Sequence, residues 1–380
     1  MCHGCFEVDR IVFWTHAYNA EDTIGRAMES ILSQTHGNFV YYCLDNGSTD
    51  KTGEIINAYA EKDARIVSLR EQINTRNVIR KYLPRFLAGD DDGYFAILDA
   101  DDEYAPDFLE KMLRFVTENS LDIAVCGTEY MEPREARPDA PERTIIFENE
   151  GFAACFPIYC KYITRMWGIL YTLKLLPYAN FGTFEEMGLT TDEVPGYREL
   201  TTAQDASSPR LYDCVYTLRA FRRAKRAGLL AESLHKYYVN SPTQLSVQYS
   251  PNYFWWVNFV QKRAREFLID YGPLSGENEK FLSIRYLIWL KYILPRIQNA
   301  DVALEVRMND VFGIFTDEKV NALFSLNWKT VGIYSDKAEI LREPLDWALE
   351  QKPGNLECFH AAQALIELLR AKLDKVKEEP

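Results

Sequence analysis

The feature that most constrains the fold is an alternation of short apolar runs with helical patterns over the first third of the chain. The apolar runs have the length and composition of buried strands, and they lie at 10–15, 39–45, 64–70, 94–98 and 122–127. The segments between them carry apolar residues at helical spacing, at 19–34, 48–62, 75–88 and 106–119. This alternation predicts a mostly parallel α/β sheet with helices on both faces.

The pattern changes along the rest of the chain. Residues 128–150 are charged and contain three prolines, which predicts an exposed loop. A helix is expected over 210–228 and a strand over 232–239. After about residue 250 helical patterns dominate, and the last 45 residues could form a helical hairpin. We therefore expect two domains, an α/β domain at 1–248 and an α-helical C-terminal domain at 249–380.

Composition excludes some classes of protein. The 380 residues carry a formal charge of −13, from 56 acidic and 43 basic residues, which argues against general nucleic-acid binding. The eight cysteines mostly lie in apolar stretches of a long chain, which favours a reducing, cytoplasmic setting over a disulfide scaffold. The pair in "CHGC" at 2–5 is read as part of a loose N-terminus, with a zinc or redox role as the alternative.

No secretory leader and no membrane-spanning run is recognised in the sequence. The segment 281–297 mixes aromatic and basic residues. It is read as a core helix, and peripheral contact with the inner face of the membrane is the alternative.

Three aspartates follow the apolar run at 94–98, namely Asp99, Asp101 and Asp102. Ligands of such sheets bind beyond the carboxyl ends of the strands. One interpretation is structural, with exposed carboxylates and with Asp102 or Asp107 capping the next helix. The other is a site for Mg²⁺ or Mn²⁺, since these hard cations take one or two protein carboxylates and complete their shell with phosphate oxygens and water.

Five motifs in the first 127 residues decide between these interpretations. They are Tyr18–Asn19, Ser30–Gln34, Asp45–Asp50, Arg76–Asn77 and Asp99–Asp102. In this order and spacing they closely resemble the N-terminal half of family 2 glycosyltransferases. Members of that family are inverting enzymes of the Rossmann-like GT-A fold that use nucleotide-diphosphate sugars. The resemblance is strong over residues 8–127, weaker to about 245 and absent beyond.

The resemblance implies roles for individual residues. It assigns to nucleotide-sugar binding Thr15, His16, Tyr18, Asp45, Asn46, Arg76, Asp99, Asp101 and Trp167. It assigns the divalent metal to Asp101 or Asp102. Two positions depart from the family, which usually has proline at His16 and a second aspartate at Asn46. Because an asparagine carbonyl can still accept the N3–H of uracil, a UDP-sugar remains the expected donor.

The second half of the α/β domain supplies the expected general base. The family has an aspartate in an acidic pair that opens a helix, and "LYDCVYTL" matches best, which assigns the role to Asp213; Asp192, Glu193 and Asp205 are its rivals. We expect backbone N–H groups and the helix dipole to lower the pKa of Asp213. His235 and Lys236 lie in a segment similar to the one that closes the family's site, with a surface pair as the alternative.

The resemblance implies metal-assisted transfer of a sugar, with inversion, from a nucleotide-diphosphate sugar to an acceptor hydroxyl. The acceptor would be a glycan or lipid-linked molecule in surface polysaccharide or glycoconjugate synthesis. Two alternatives stay open. A nucleotidyltransferase also places metal-binding carboxylates on such a sheet, but "THAYNAED" lacks the Gly-rich phosphate loop. The other is a non-catalytic nucleotide-binding or scaffold protein, against which the intact "DADD" argues.

Overall fold

The structure is a computed structural model of the 380-residue chain. It describes residues 10–74, 78–88, 92–131, 136–179, 212–238, 249, 253–325, 335–351 and scattered positions between 363 and 374. The described residues divide into two compact units, one up to Tyr238 and one from Tyr249 onward. The expectations for the N-terminal "CHGC", Arg76, Asp192, Glu193 and Asp205 lie outside the described residues.

The first unit is built on one mixed sheet. Its strands are β1 (Ile11–Ala17), β2 (Val40–Asn46), β3 (Ile66–Glu71), β4 (Tyr94–Ile97), β5 (Glu103–Tyr104), β6 (Ile123–Met131), β7 (Ala136–Asp139), β8 (Ile145–Glu148), β9 (Ile169–Thr172) and β10 (Arg226–Tyr238). They lie in the order β3-β2-β1-β4-β9-β6-β10-β5, with β7 beside β6 and β8 beside β10. The first four positions are parallel, as expected, whereas β9 runs antiparallel to both of its neighbours.

Helices of the first unit follow its strands. They are α1 (Ile24–Leu32), α2 (Thr52–Ala60), α3 (Ile79–Phe86), α4 (Phe108–Asn119), α5 (Gly151–Ala154), α6 (Phe156–Tyr159), α7 (Leu176–Ala179) and α8 (Tyr212–Phe221), with 3₁₀ turns at Cys160–Ile163 and Leu173–Leu175. The apolar face of α1 is fully buried through Ile24, Ala27, Met28 and Ile31, which is the helical spacing seen in the sequence. Phe13 of β1 packs against Phe39 and Phe108 in the same core.

The topology determines where a ligand can bind. The chain runs from β1 outward to β3 and then returns to form β4 on the other side of β1. The loops after β1 and β4 therefore leave the sheet in opposite directions and open a crevice at its carboxyl edge, where α/β sheets bind ligands. The motifs after β1, β2 and β4 all lie at this edge.

Three local expectations were wrong. The segment 128–150 was expected to be a loop, but it contains the end of β6 and the strands β7 and β8. The helix expected over 210–228 ends at Phe221, and β10 begins at Arg226. The helix expected from residue 19 begins only at Ile24, and Asn19 has a positive φ of 48°.

The second unit is helical where it is described. Its helices are α9 (Tyr253–Ile269), α10 (Gly276–Gln298), α11 (Leu304–Thr316), α12 (Glu318–Ser325) and α13 (Ser335–Glu350). Within it, the buried hydroxyl of Tyr286 donates to Asn258, and the Asn258 amide donates to Asp317. Among the described helices, none has the length and apolar character needed to cross a membrane.

Candidate active site

The loops after β1 and β2 are tied to each other by side-chain hydrogen bonds. The Asn19 carbonyl oxygen accepts the Thr49 N–H at 2.9 Å, and the Asn19 N–H donates to the Ser48 hydroxyl at 3.0 Å. At the next residue, the Ala20 N–H donates to Thr52 Oγ1 at 2.8 Å. The Tyr18–Asn19 and Asp45–Asp50 motifs therefore form one rigid wall of the crevice.

Asp45 and Asn46 lie buried at the end of β2. Asp45 Oδ1 accepts the Ser48 N–H at 2.9 Å, and its Oδ2 lies 3.4 Å from Arg70 Nε on the adjacent strand. The Asn46 amide donates to Asn74 Oδ1 at 2.8 Å. An N–H of a base can bond only to an acceptor, and the acceptor of the Asn46 side chain is its carbonyl oxygen.

Thr15 has a different position from the one expected. Its side chain is fully buried, and its hydroxyl donates to the Leu98 carbonyl at 2.7 Å while accepting from Tyr41 at 3.0 Å. Thr15 therefore holds the residue that precedes Asp99. The two neighbouring predicted residues, His16 and Tyr18, are exposed at the same edge and remain candidates for contact with a nucleotide.

The three aspartates after β4 form a tight cluster. One carboxylate oxygen each from Asp99, Asp101 and Asp102 lie within 4.8 Å of one another. Burial, and then the charges of Asp102, Asp101 and Asp213, raise the pKa of Asp99 well above its usual range. Burial and the charge of Asp101 do the same to the pKa of Asp102. Ionising all three groups together is therefore unfavourable without a compensating positive charge.

The cluster fits a hard divalent cation. Asp102 Oδ1 accepts the Tyr238 N–H at 3.1 Å, whereas its Oδ2 is buried and has no hydrogen-bond donor within the described part of the chain. Three oxygen donors at this spacing, one of them orphaned, match the ligand preference of Mg²⁺ and Mn²⁺. Asp101 and Asp99 are partly exposed, while Asp102 is fully buried. Asp107, expected as a possible cap, lies at the start of α4 but makes no side-chain cap bond.

His235 on β10 lies against this cluster. Its Nε2 is 3.2 Å from Asp102 Oδ2, and both side chains are fully buried. Burial, and then the charge of Arg165, lower the pKa of His235 well below its usual range, so the ring is neutral at pH 7. Neither ring nitrogen has a hydrogen-bond partner among the described residues. A neutral imidazole in this position can add a nitrogen ligand to the three carboxylates.

The Trp167 ring packs against one face of the His235 ring. The two rings stack at 4.1 Å, and the Arg165 guanidinium carbon lies 4.3 Å from the centroid of the Trp167 ring. Trp167 is 8% exposed, so it is placed to support the site rather than to offer an open face to a nucleotide. Arg165 is itself buried, and its Nε and Nη2 have no hydrogen-bond partner in the described residues. Arg165 was not recognised from the sequence, where a single arginine before "MWGIL" gives no signal.

Asp213 lies in the first turn of α8 and is partly exposed. It lies close enough to Asp99 for its charge to raise the pKa of that carboxyl. The Thr217 hydroxyl donates to the backbone carbonyls of both Asp213 and Arg165, at 2.8 and 3.1 Å, and so fixes α8 to the segment before Trp167. The structure therefore brings the expected base to the acidic cluster, although the two segments are more than a hundred residues apart.

The expected effect on the pKa of Asp213 was wrong in sign. Burial raises this pKa from 3.8 to about 6, and the backbone N–H of Asp213 only partly opposes the change. The desolvation of the carboxylate in the crevice thus outweighs the favourable position at the helix N-terminus. A carboxylate with this pKa is ionised at pH 7 and is more basic than an ordinary aspartate.

Comparison with known proteins finds a family model that matches part of the chain. Residues 15–170 match the family model described as "Glycosyl transferase family 2", which confirms the resemblance found in the sequence. The chain is 26% identical over 239 residues to the uncharacterized glycosyltransferase EpsJ of Bacillus subtilis, a match that covers 62% of each chain. It is 35% identical over 119 residues to the putative teichuronic acid biosynthesis glycosyltransferase TuaG of the same organism, covering 31% of this chain and 46% of TuaG. The matched segments thus span less than two thirds of these relatives.

A solved structure shares the fold. The crystal structure of Staphylococcus aureus TarS 1-349 in complex with UDP-GlcNAc superposes with a TM-score of 0.59 at 14% identity, covering 97% of this chain and 92% of that chain. At this identity the similarity concerns the fold alone. The expected GT-A architecture, an α/β sheet with flanking helices followed by a helical region, is confirmed.

Proposed function

We propose that this chain, whose residues 15–170 match glycosyl transferase family 2, is an inverting glycosyltransferase that uses a nucleotide-diphosphate sugar. The observation that carries the proposal is the carboxylate cluster after β4 together with Asp213. Three aspartate oxygens lie within 4.8 Å of one another, and Asp213 lies within electrostatic range of Asp99. Metal ligands and a general base then meet at the edge where an α/β sheet binds ligands.

The donor is a UDP-sugar in this proposal. Asp45 and Asn46 are buried at the end of β2, and the carbonyl of Asn46 is the group suited to accept the uracil N3–H. The TarS structure of the same fold contains UDP-GlcNAc, which supports the same nucleotide here. Arg76, assigned to the nucleotide by the resemblance, lies outside the described residues, and its role stays a prediction.

A divalent cation, Mn²⁺ or Mg²⁺, would be held by Asp101 and Asp102, with Asp99 and the neutral His235 beside them. When bound, it supplies positive charge against the diphosphate leaving group. Because Asp102 is fully buried and Asp101 is partly exposed, Asp101 is the better candidate for direct contact on the substrate side. From the sequence alone, Asp101 and Asp102 were equal candidates for the direct metal ligand, and we favour Asp101.

The transfer itself is a single displacement. Asp213 removes the proton from the acceptor hydroxyl, and this oxygen attacks the anomeric carbon from the face opposite the nucleotide. The carbon–oxygen bond to the diphosphate breaks in the same step, so the anomeric configuration inverts. Without a covalent sugar–enzyme intermediate, one carboxylate base is sufficient.

The acceptor belongs to surface polysaccharide or glycoconjugate synthesis in this proposal. The name of TuaG, with its putative role in teichuronic acid biosynthesis, supports this setting. A glycan or a lipid-linked acceptor fits equally. A cytoplasmic location, with peripheral contact at the inner face of the membrane as the alternative, stays a prediction.

Calorimetry of UDP binding tests the proposal. We expect the affinity of the wild-type protein for UDP to increase when Mn²⁺ is present, and the combined substitutions Asp101→Asn and Asp102→Asn to remove this dependence. Removing two like charges from a repelling cluster should leave the fold intact, which circular dichroism would verify. Equal UDP binding by the wild type with and without Mn²⁺ would count decisively against a metal-assisted glycosyltransferase.

A further inference from the structure

One face of α1, together with the turn that follows it, holds the segment that carries and follows the acidic cluster. Ser30 Oγ accepts the Tyr104 N–H at 3.2 Å. The Gln34 amide donates to the Ala105 carbonyl at 2.7 Å and accepts the Leu109 N–H at 2.8 Å. Arg26, four residues before Ser30, extends the same face by one turn. Its Nη2 donates to the backbone carbonyl of Asp101 at 2.5 Å.

Arg26 is also joined to the end of β10. Its Nε lies 3.1 Å from Glu103 Oε1, and its guanidinium carbon lies 3.7 Å from the centroid of the Tyr238 ring. The Tyr238 hydroxyl donates to the same Glu103 oxygen at 2.6 Å. The Tyr238 N–H donates to Asp102 Oδ1. A closed set of contacts thus surrounds the backbone from Asp101 to Glu103.

We propose that Arg26, Glu103 and Tyr238 form a positioning cluster that holds the carboxylates of Asp101 and Asp102 in the arrangement that binds a divalent cation. The inference rests on the proposed function in one respect, namely that a cation binds at these aspartates. Mutually repelling carboxylates tend to move apart, and groups that orient metal ligands from behind affect metal affinity strongly. Arg26 fixes the carbonyl of Asp101, while Tyr238 fixes one oxygen of Asp102.

A purely structural role for Arg26 predicts a different pattern. The side chain of Arg26 is 35% exposed, and an ion pair at such a position adds little to stability. Arg26 contacts Asp101, which is a proposed metal ligand, and Glu103, which follows Asp102 in the chain. It also contacts Tyr238, whose N–H donates to Asp102. Loss of Arg26 should therefore change the binding of metal more than the stability of the fold.

An effect of the Arg26 charge alone would change the affinity for Mn²⁺ in the opposite direction. Arg26 carries a positive charge beside the carboxylates that would hold the cation, with its Nη2 on the Asp101 carbonyl. At a pH where these carboxylates are ionised, an effect of the charge alone would be repulsion of Mn²⁺, so removing Arg26 would tighten the binding of Mn²⁺. If it acts by positioning, removing it weakens the binding of Mn²⁺.

Arg65 is a matched control at the other end of the sheet, immediately before β3. Like Arg26, it pairs with a carboxylate, with Nη2 2.7 Å from Asp63 Oδ2, and its guanidinium lies 4.6 Å from the centroid of the Phe39 ring. Its side chain is 31% exposed, close to the value for Arg26. Substitution of Arg65 removes the same kinds of contact without touching the acidic cluster.

The test is the affinity of the full-length protein for Mn²⁺ alone, measured by electron paramagnetic resonance without nucleotide. For Arg26→Met we expect a loss of about 10–100-fold. Arg26→Lys keeps the charge but not the planar fork, and should show an intermediate loss. Tyr238→Phe, which removes only the hydroxyl bond to Glu103, should show the smallest loss, and Arg65→Met should bind as the wild type does.

The outcomes distinguish the positioning role of Arg26 from the proposed function. Wild-type affinity, or tighter binding, in Arg26→Met would overturn the positioning role and leave the proposed function standing. Absence of Mn²⁺ binding in the wild type would overturn both. If Arg26→Met does not fold, the order of affinities among wild type, Arg26→Lys and Tyr238→Phe decides the matter, and equal affinities would overturn the role.

Discussion

Replacement of Asp213 by asparagine should make the protein more stable and much less active. In the folded chain burial raises the pKa of Asp213 to about 6, against 3.8 for an ordinary aspartate. The folded state therefore binds more protons than the unfolded state between these two values. Stability contributed by this group is present at low pH and is lost as the pH rises through about 6. Asparagine imitates the neutral form and does not suffer this loss.

The size of the effect follows from the two pKa values. The difference between 3.8 and about 6 corresponds to roughly 3 kcal/mol of unfolding free energy. Asp213 is partly exposed, so solvent screens part of this cost, and we expect a gain of about 1–2 kcal/mol for Asp213→Asn at pH 8. The gain should disappear near pH 4. A carboxylate that merely stabilises a helix end would instead make the variant less stable, by about 0.3–1 kcal/mol.

Urea unfolding of the wild type and the variant at several pH values measures this difference. Asp122 provides a control, because its pKa is shifted in the opposite direction. Burial raises its pKa, but the Lys174 ammonium at 2.6 Å and the Lys225 N–H at 2.7 Å outweigh that effect and hold the pKa below its usual range. Asp122→Asn should therefore lower stability at pH 8.

Turnover provides the second readout for Asp213. As the base, its loss should lower sugar transfer by roughly 10²–10⁴-fold without changing Mn²⁺-dependent UDP binding. Wild-type turnover should fall as the pH drops below about 6, because the base becomes protonated. An Asp213→Asn variant that is less stable at pH 8 and nearly fully active would contradict both the raised pKa and the role of Asp213 as the base. Loss of activity in Asp205→Asn but not in Asp213→Asn would move the base to the rival carboxylate.

Three further predictions concern the rest of the site. A Cβ at Gly53 would lie 2.4 Å from Asp45 Oδ2, so Gly53→Ala should displace that carboxylate, lower stability by about 1–3 kcal/mol and weaken UDP binding, as thermal unfolding and calorimetry would measure. Arg165→Met removes a buried guanidinium whose Nε and Nη2 have no hydrogen-bond partner among the described residues. The substitution should therefore raise the free energy of unfolding by about 1–3 kcal/mol. A lower free energy of unfolding would show that the charge of Arg165 is compensated. Asn46→Asp should keep or improve UDP binding if its carbonyl receives the uracil N3–H, and displacement of UDP by an equal concentration of GDP would exclude the uridine assignment.

The alternating half of the fold was predictable because burial on both faces leaves a clear pattern in the sequence. β1 and β4 are buried along almost their whole length, and the apolar run of each marks its position. The strand β7 leaves no such pattern, since "ARPD" is polar and mostly exposed. It forms because it pairs with β6, a contact between segments that local propensity does not encode.

The end of α8 shows a second limit. The run "FRRAKRAG" has good helix formers, which is why a helix was expected to Gly228. In the structure Gly228 lies in β10, where a Cβ would come within 2.6 Å of Phe115. The close packing of β10 on α4 requires glycine there, and only the tertiary structure shows this requirement.

The candidate site was predictable in its acidic residues and not in their supports. Asp99, Asp101 and Asp102 lie within four consecutive residues, so their clustering follows from one turn of chain. Arg165 and Tyr238 reach the same cluster from distant segments, and no spacing rule connects them to it. The pKa of Asp213 was misjudged for the same reason, because its burial depends on neighbours that the sequence does not identify.

Anomalous diffraction at the manganese edge, from crystals grown with UDP and Mn²⁺, would locate the cation. We expect one strong peak at about 2.0–2.3 Å from a carboxylate oxygen of Asp101 or Asp102, with the UDP diphosphate against the same ion. UDP bound at the carboxyl edge of the sheet with no manganese at these aspartates would contradict this expectation.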